Sequence, residues 1–155
     1  MRKRLIISEP PSVSHTEWLN LEAAATIELT SEDEHHPIEA ALAGRGGGGW
    51  RASGPGLQTI RLVFDQPQRL RRIHLVFNER ETARTQEFVL RWRPEVDEGF
   101  REIVRQQWNF SPPQAEREIE DYGVGLPNVK VLELAIVPDI GGGDTRASLE
   151  HLKLA

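Results

Sequence analysis

The sequence has no cysteine, few aromatic residues and no long apolar segment. Its 155 residues include 0 Cys, and only 6% are aromatic. Without cysteine the chain forms neither disulfides nor thiolate-ligated zinc sites, so a hydrophobic core must hold it together. No apolar run approaches the roughly 20 residues of a membrane-spanning helix. The basic start is followed only by Leu5, Ile6 and Ile7, which is too short for a signal peptide. We therefore expect a cytoplasmic protein with no membrane partner.

The chain also lacks a large excess of charge of one sign. Its formal net charge is -5, with 28% charged and 38% hydrophobic residues, as in a globular protein. Arginines between residues 61 and 105 alternate with acidic residues, which indicates a mixed surface and not a basic stripe. The composition therefore gives no reason to expect nucleic acid as a partner.

Apolar residues alternate with polar ones in four segments, and this period of two predicts β-strands. Closely spaced strands with connections rich in glycine and proline are typical of an antiparallel sandwich or barrel. The in-phase apolar residues are Ile60, Leu62 and Phe64; Ile73, Leu75 and Phe77; Phe88, Leu90 and Trp92; and Leu132, Leu134 and Ile136.

Other local signals predict the connections. Pro67, in the stretch of residues 65–70, predicts a turn between the first two strands. Residues 37–42 could form one short turn of helix, since proline is favoured where a helix begins. Residues 112–123 fit a second helix, whereas the alternation within residues 117–124 fits a strand, so both interpretations stay open here.

The glycine run Gly46–Gly49 raises the question of a phosphate-binding loop. Gly44, Gly46 and Gly49 match the pattern GxGxxG, but a dinucleotide fingerprint needs a strand before it and a helix after it. The following Gly-Pro-Gly of residues 54–56 cannot open a helix. We therefore interpret the run as a structural loop whose glycines take positive φ, beside Trp50, which we expect in the core.

Four segments occur in a characteristic order. "TIELTSEDEHHPIEAALAG" comes first, then Trp50 with "LQTIRLVFDQPQRLRRIHLVF", then "EFVLRWRPEVDEGFREIVRQQWNFS", and last "NVKVLELAIVPDIGGGDTRASLEHLKL". This order resembles the discoidin domains, also called coagulation factor five/eight type C domains, of the galactose-binding-like superfamily that includes family 32 carbohydrate-binding modules. The resemblance spans Thr26 to Leu154. It implies an all-β fold, an eight-stranded antiparallel jelly-roll β-sandwich. Residues 1–155 would then form one domain, in which residues 1–25 are an N-terminal extension that packs on the sandwich or leads into it.

The resemblance further implies a non-catalytic binding module that recognises carbohydrate through loops at one end of the sandwich. Sugar-binding members use histidine, arginine and asparagine for hydroxyls and an aromatic ring for the apolar face of the sugar. For each candidate taken singly, the sequence favours the alternative of a solvated surface charge. By loop position, and not by a matched motif, the ligand-binding candidates are His36, Arg45, Asn78, Arg80 and Arg84.

No catalytic arrangement stands out in the sequence. Ser53 lacks the GxSxG elbow of a serine hydrolase, and no pair of carboxylates is placed by sequence across a cleft, so we expect no enzymatic activity. The alternative to carbohydrate binding is a cytosolic protein-interaction or subunit-assembly module. An exposed aromatic residue at the loop end would favour a sugar partner, and a flat apolar sheet face would favour a protein partner.

Many members of the resembled family hold a structural calcium ion, which needs several oxygen ligands. Here Ala43 stands before Gly44 where the family has aspartate, and His151 stands where the family has glutamate. Glu150 is one residue out of register, which in a strand means the opposite face. Both departures argue against calcium, and the adjacent His35 and His36 do not have the spacing of a transition-metal site. We expect neither a metal nor a cofactor.

Overall fold

Two long antiparallel strands organise the fold. The computed structural model describes residues 2–3, 17–43 and 48–155. Two short helices lie near the start of the chain, α1 (Leu21–Ala24) and α2 (Ile38–Leu42). The strands are β1 (Ala25–Leu29), β2 (Trp50–Arg51), β3 (Gln58–Asn78), β4 (Arg84–Arg93), β5 (Arg101–Phe110), β6 (Arg117–Val137), β7 (Ser148–Leu149) and β8 (His151–Leu154).

The long strands β3 and β6 each contribute to two layers. Residues 60–64 of β3 pair with β1, and residues 58–63 pair with the last part of β6. This layer has the strand order β1-β3-β6-β4-β5. Residues 72–78 of β3 pair with the first part of β6, and residues 73–76 also pair with β8. The register shifts between Val63 and Arg72, where the strands pass from one layer to the other. The result is the predicted all-β fold, an antiparallel jelly-roll β-sandwich.

The core lies between these layers and contains the alternating residues that predicted the strands. Phe77 of β3 stacks on Phe88 of β4 with ring centroids 5.2 Å apart. Leu62, Leu75 and Leu132 are at most 1% exposed. Burial of this apolar surface is the main stabilising contribution to such a fold.

The prediction of a turn around Pro67 is wrong. The structure continues β3 through this stretch as one bent strand, and Asp65, Gln66 and Pro67 lie exposed on it. Proline has no N–H to donate, so it is tolerated where the pairing is interrupted. At the bend, where the pairing of β3 with β6 is interrupted, Lys130 of β6 supplies hydrogen bonds from its side chain. Its Nζ donates to the carbonyl oxygens of Phe64 at 2.6 Å and Asp65 at 3.2 Å.

The other local predictions have clear outcomes. Helix α2 begins after Pro37, its N-cap residue, and covers the predicted helical turn. Of the two interpretations of residues 112–123, the strand is correct, because β6 begins at Arg117. Among the residues that the structure describes, no helix is long and apolar enough to cross a membrane.

The glycine run ends in a tightly packed loop beside Trp50. Trp50 is 0% exposed, as predicted, and its Nε1 donates to the carbonyl oxygen of Ser31 at 3.0 Å. Gly48 and Gly49 adopt φ values of 90° and 64°. A Cβ on Gly49 would lie 2.3 Å from the carbonyl oxygen of Leu149, so this position requires glycine for space as well as for conformation. Gly44, Arg45, Gly46 and Gly47 lie outside the described residues.

Candidate functional site

A polar cleft of about 520 Å³ opens at the end of the sandwich where β3 finishes. We call it the end cleft. Its walls come from the loop before α2, from β2, from the β3–β4 loop and from the segment around β7. The described residues that line it are His36, Gly48, Arg51, Asn78, Glu79, Arg80, Glu81, Arg146, Ser148 and Glu150.

The end cleft brings together three of the five predicted ligand-binding residues. His36 comes from the loop before α2, whereas Asn78 is the last residue of β3 and Arg80 follows it in the β3–β4 loop. Arg45 lies outside the described residues. Arg84, the fifth residue, is not among the residues that line the cleft.

The expectation that Arg84 projects from an exposed loop is wrong, because its side chain is buried. Its Nε donates to Glu79 Oε1 at 2.8 Å, and its Nη1 donates to the carbonyl oxygen of Pro138 at 2.8 Å. Its guanidinium also lies 4.7 Å from the centre of the Phe110 ring. The signal was present in the sequence, since Arg84 is in phase with Phe88 and therefore faces the core. Arg84 supports the loop from inside and does not line the end cleft.

Hydrogen bonds tie the end of β3 to the neighbouring β7–β8 segment. Asn78 Nδ2 donates to Glu150 Oε2, and Ser148 Oγ donates to the carbonyl oxygen of Asn78 at 3.1 Å. The backbone N–H of Glu150 donates to the carbonyl oxygen of Val76 at 2.8 Å. These contacts hold Asn78, Ser148 and Glu150 in fixed relative positions on one wall of the end cleft.

His36 is held by its own loop and by β2. Its Nδ1 lies 3.3 Å from Asp33 Oδ1, and its carbonyl oxygen accepts from the backbone N–H of Arg51 at 3.2 Å. The pKa of Asp33 is lowered from its ordinary value, first because the backbone N–H of His35 donates to it and then because of the His36 ring. Asp33 is therefore the ionised partner that orients the imidazole.

Two arginines give the end cleft its electrostatic character: Arg80, which the sequence had indicated, and Arg51, which it had not. The side chains of Arg51 and Arg80 have no hydrogen-bond or ion-pair partner among the described residues. In contrast, Glu79 is paired with Arg84, and Glu150 lies 3.7 Å from Arg117. Arg146 lies 3.9 Å from Asp33. Arg51 and Arg146 reach this cleft because β2 pairs with β7, a contact between distant segments that no local pattern predicts.

Aromatic rings are scarce in the end cleft. His36 carries the only ring among the described residues that line it. Trp50 and Trp92 are buried in the core, and Trp108 packs against that core. Binding in this cleft would therefore depend on hydrogen bonds and charge more than on stacking.

The residues at the family's calcium position do not fit a calcium site. Ala43 has no side-chain oxygen, and His151 of β8 has no carboxylate. Within residues 2–3, 17–43 and 48–155, no three His, Asp or Glu side chains come together as a metal site would require.

Comparison with known proteins identifies the fold. No protein-family model matches the chain, and no curated protein has a significantly similar sequence. Among solved structures, the family 32 carbohydrate-binding module of C. perfringens NanJ in complex with galactose has a TM-score of 0.63 at 12% identity, covering 88% of this chain and 96% of that one. The chain has the fold of the family 32 carbohydrate-binding modules.

Further structures extend this likeness. The Clostridium perfringens domain CpGH89CBM32-5, in complex with GalNAc-β-1,3-galactose, has a TM-score of 0.60 at 17% identity, covering 89% of this chain and 99% of that one. XRCC1, in a structure of its reduced form bound to the DNA polymerase β catalytic domain, has a TM-score of 0.58 at 10% identity, covering 85% and 94%. The family 32 fold therefore occurs in domains solved with a sugar and in one solved with a protein.

Proposed function

We propose that this protein is a non-catalytic carbohydrate-binding module whose ligand occupies the end cleft. The observation that carries the proposal is the meeting of His36, Asn78 and Arg80 in one polar cleft at the loop end of the sandwich. Loops on a rigid sandwich are a common location for binding residues. The fold relatives solved with galactose and with GalNAc-β-1,3-galactose support the same assignment.

The chemistry of the end cleft suits a ligand rich in hydroxyl groups. A sugar hydroxyl both donates and accepts, so it needs donors and acceptors close together. Arg51 and Arg80 supply forked N–H donors, and Glu81 supplies an acceptor. The volume of about 520 Å³ lies within the usual range for ligand pockets.

A glycan array with matched variants tests the proposal. We expect the wild-type protein to bind a defined subset of glycans and the double variant His36→Ala/Arg80→Ala to lose that binding. Arg69→Ala is the control, since Arg69 is exposed on β3 and does not line the end cleft. Arg69 and Arg80 are exposed, so their substitution should change stability little, whereas His36 is half-buried and contacts Asp33. The melting temperature of each protein therefore separates lost binding from lost folding. Absence of wild-type binding to every glycan would overturn the proposal.

The second candidate is a protein-interaction or subunit-assembly module. The likeness to XRCC1 bound to a polymerase favours it. The layer with the strand order β1-β3-β6-β4-β5 carries charged pairs on its outer face, however. Arg61 Nε lies 2.7 Å from Glu133, and Arg105 Nη1 lies 2.6 Å from Glu87. A flat apolar face would support protein docking better. Size-exclusion chromatography with light scattering tests self-assembly, and an elution mass above that of one chain would favour this candidate.

A further inference from the structure

We propose that the end cleft selects acidic glycans, with Arg51 and Arg80 binding the carboxylate of a uronic-acid residue. This inference rests on the proposed function and adds the chemical class of the ligand. Its basis is that the guanidinium groups of Arg51 and Arg80 line the cleft and have no hydrogen-bond or ion-pair partner among the described residues.

The charges around the cleft are unevenly compensated. Glu79 is neutralised by the buried Arg84 at 2.8 Å, and Glu150 is bonded to Asn78 and faces Arg117. Arg146 faces Asp33 at 3.9 Å. Once these pairs are set aside, the described lining retains Arg51 and Arg80 against Glu81 alone. The cleft is therefore locally positive, although the formal net charge of the chain is -5.

A carboxylate matches this arrangement better than a neutral hydroxyl does. The planar guanidinium donates two parallel N–H bonds to the two oxygens of a carboxylate, and such charge-assisted bonds are stronger than neutral ones. In a partly enclosed cleft these bonds are also screened less by salt than on an open surface. Glu81 opposes an anionic ligand, so it should limit affinity for an acid and not for a neutral sugar.

The experiment compares an oligogalacturonide with its methyl ester, which has the same sugar ring without the negative charge. Isothermal titration calorimetry at low and at physiological salt should show tighter binding of the acid, and this preference should decrease as salt increases. Arg51→Gln and Arg80→Gln should each weaken binding of the acid about tenfold, as loss of a charge-assisted hydrogen bond does, and should weaken binding of the ester by a smaller factor, because the ester loses only hydrogen bonds to neutral groups. Glu81→Gln should have the opposite effect on affinity, because it removes a negative charge: it should strengthen binding of the acid and leave binding of the ester unchanged.

Several outcomes would overturn the inference. Equal binding of acid and ester would do so, as would a loss of acid binding in the control Arg69→Gln as large as in Arg80→Gln, because that result indicates non-specific attraction to a polyanion. Binding of a neutral galactan with no binding of the acid would overturn the inference while leaving the proposed function intact. If no acidic or neutral glycan binds, both fail. Unchanged melting temperatures of the variants would establish that lost binding does not reflect unfolding.

Discussion

Gly49 lies where the backbone packs directly against the connection between β7 and β8. Its φ is 64°, and an added Cβ would lie 2.3 Å from the carbonyl oxygen of Leu149. We expect Gly49→Ala to destabilise the protein by about 2–4 kcal/mol, from the left-handed conformation and the steric overlap together. Gly56→Ala is the matched control, because Gly56 has a φ of 86° with no neighbour within 4 Å. Urea denaturation measures both; equal losses would show that the contact with Leu149 contributes nothing.

Trp50 is the aromatic anchor at the base of the same loop. Its ring is fully buried and its Nε1 is bonded to the carbonyl oxygen of Ser31. We expect Trp50→Ala to reduce the free energy of unfolding by about 3–5 kcal/mol, as deletion of a large buried aromatic does. Thermal and urea unfolding measure the loss. A variant of full stability that no longer bound glycan would instead assign Trp50 to the ligand site.

At the scale of single elements, the β3–β4 loop is supported by the ion pair of Arg84 and Glu79. The side chain of Arg84 is 0% exposed and that of Glu79 is 12% exposed. Removing one member of a buried pair leaves the other charge uncompensated, so we expect Arg84→Met to cost about 3–5 kcal/mol. The double variant Arg84→Met/Glu79→Gln should cost less than the sum of the single variants. Additive costs in this double-mutant cycle would show that the pair does not couple.

The first part of β6 carries a buried carboxyl, Glu118, facing β4. Gln86 Nε2 donates to Glu118 Oε1 at 3.1 Å. Burial, and then the neighbouring Glu120, raises the pKa of Glu118 from 4.5 to about 8. Between these two values the folded protein holds a proton that the unfolded chain has released, so the free energy of unfolding should decrease as pH rises from about 5 to 8.

The variant Glu118→Gln isolates this contribution. An amide keeps an oxygen acceptor for Gln86 but does not titrate. We expect the variant to lose the pH-dependent decrease and to be more stable than the wild type at pH 8. Urea denaturation across this pH range measures the difference, and parallel stability profiles for the two proteins would contradict the raised pKa.

Sequence patterns predicted elements better than they predicted contacts between elements. Alternation identified the strands because side chains of a strand alternate between faces whatever the tertiary context. The same phase places Arg84 inward. From the sequence, a bend within one continuous strand at Pro67 could not be distinguished from a turn between two strands, because both favour the same local residues. Arg51 could not be assigned to the end cleft because its position depends on the register between β2 and β7, which is set across most of the chain.

At the scale of the whole molecule, the sandwich should not require calcium. Ala43 and His151 replace two expected oxygen ligands. An ion bound only to the folded state would raise stability by mass action. We expect the melting temperature to be the same in EDTA and in excess CaCl₂. A decrease in EDTA that calcium reverses would reveal oxygen ligands supplied by other residues.

The pairing order of the strands has a consequence for folding kinetics. Among the described strands, only β4 and β5 are sequence neighbours that pair with each other, and the other ladders join distant segments. Near the two ends of the described chain, the N–H of Leu19 donates to the carbonyl oxygen of Leu154. Closing these long loops costs conformational entropy before the hydrogen bonds and packing of the ladders can stabilise the chain. High contact order of this kind belongs to domains that fold in milliseconds to seconds and not in microseconds. The β4–β5 hairpin is the segment that can form early, and the remaining ladders form only after segments distant in sequence have come together.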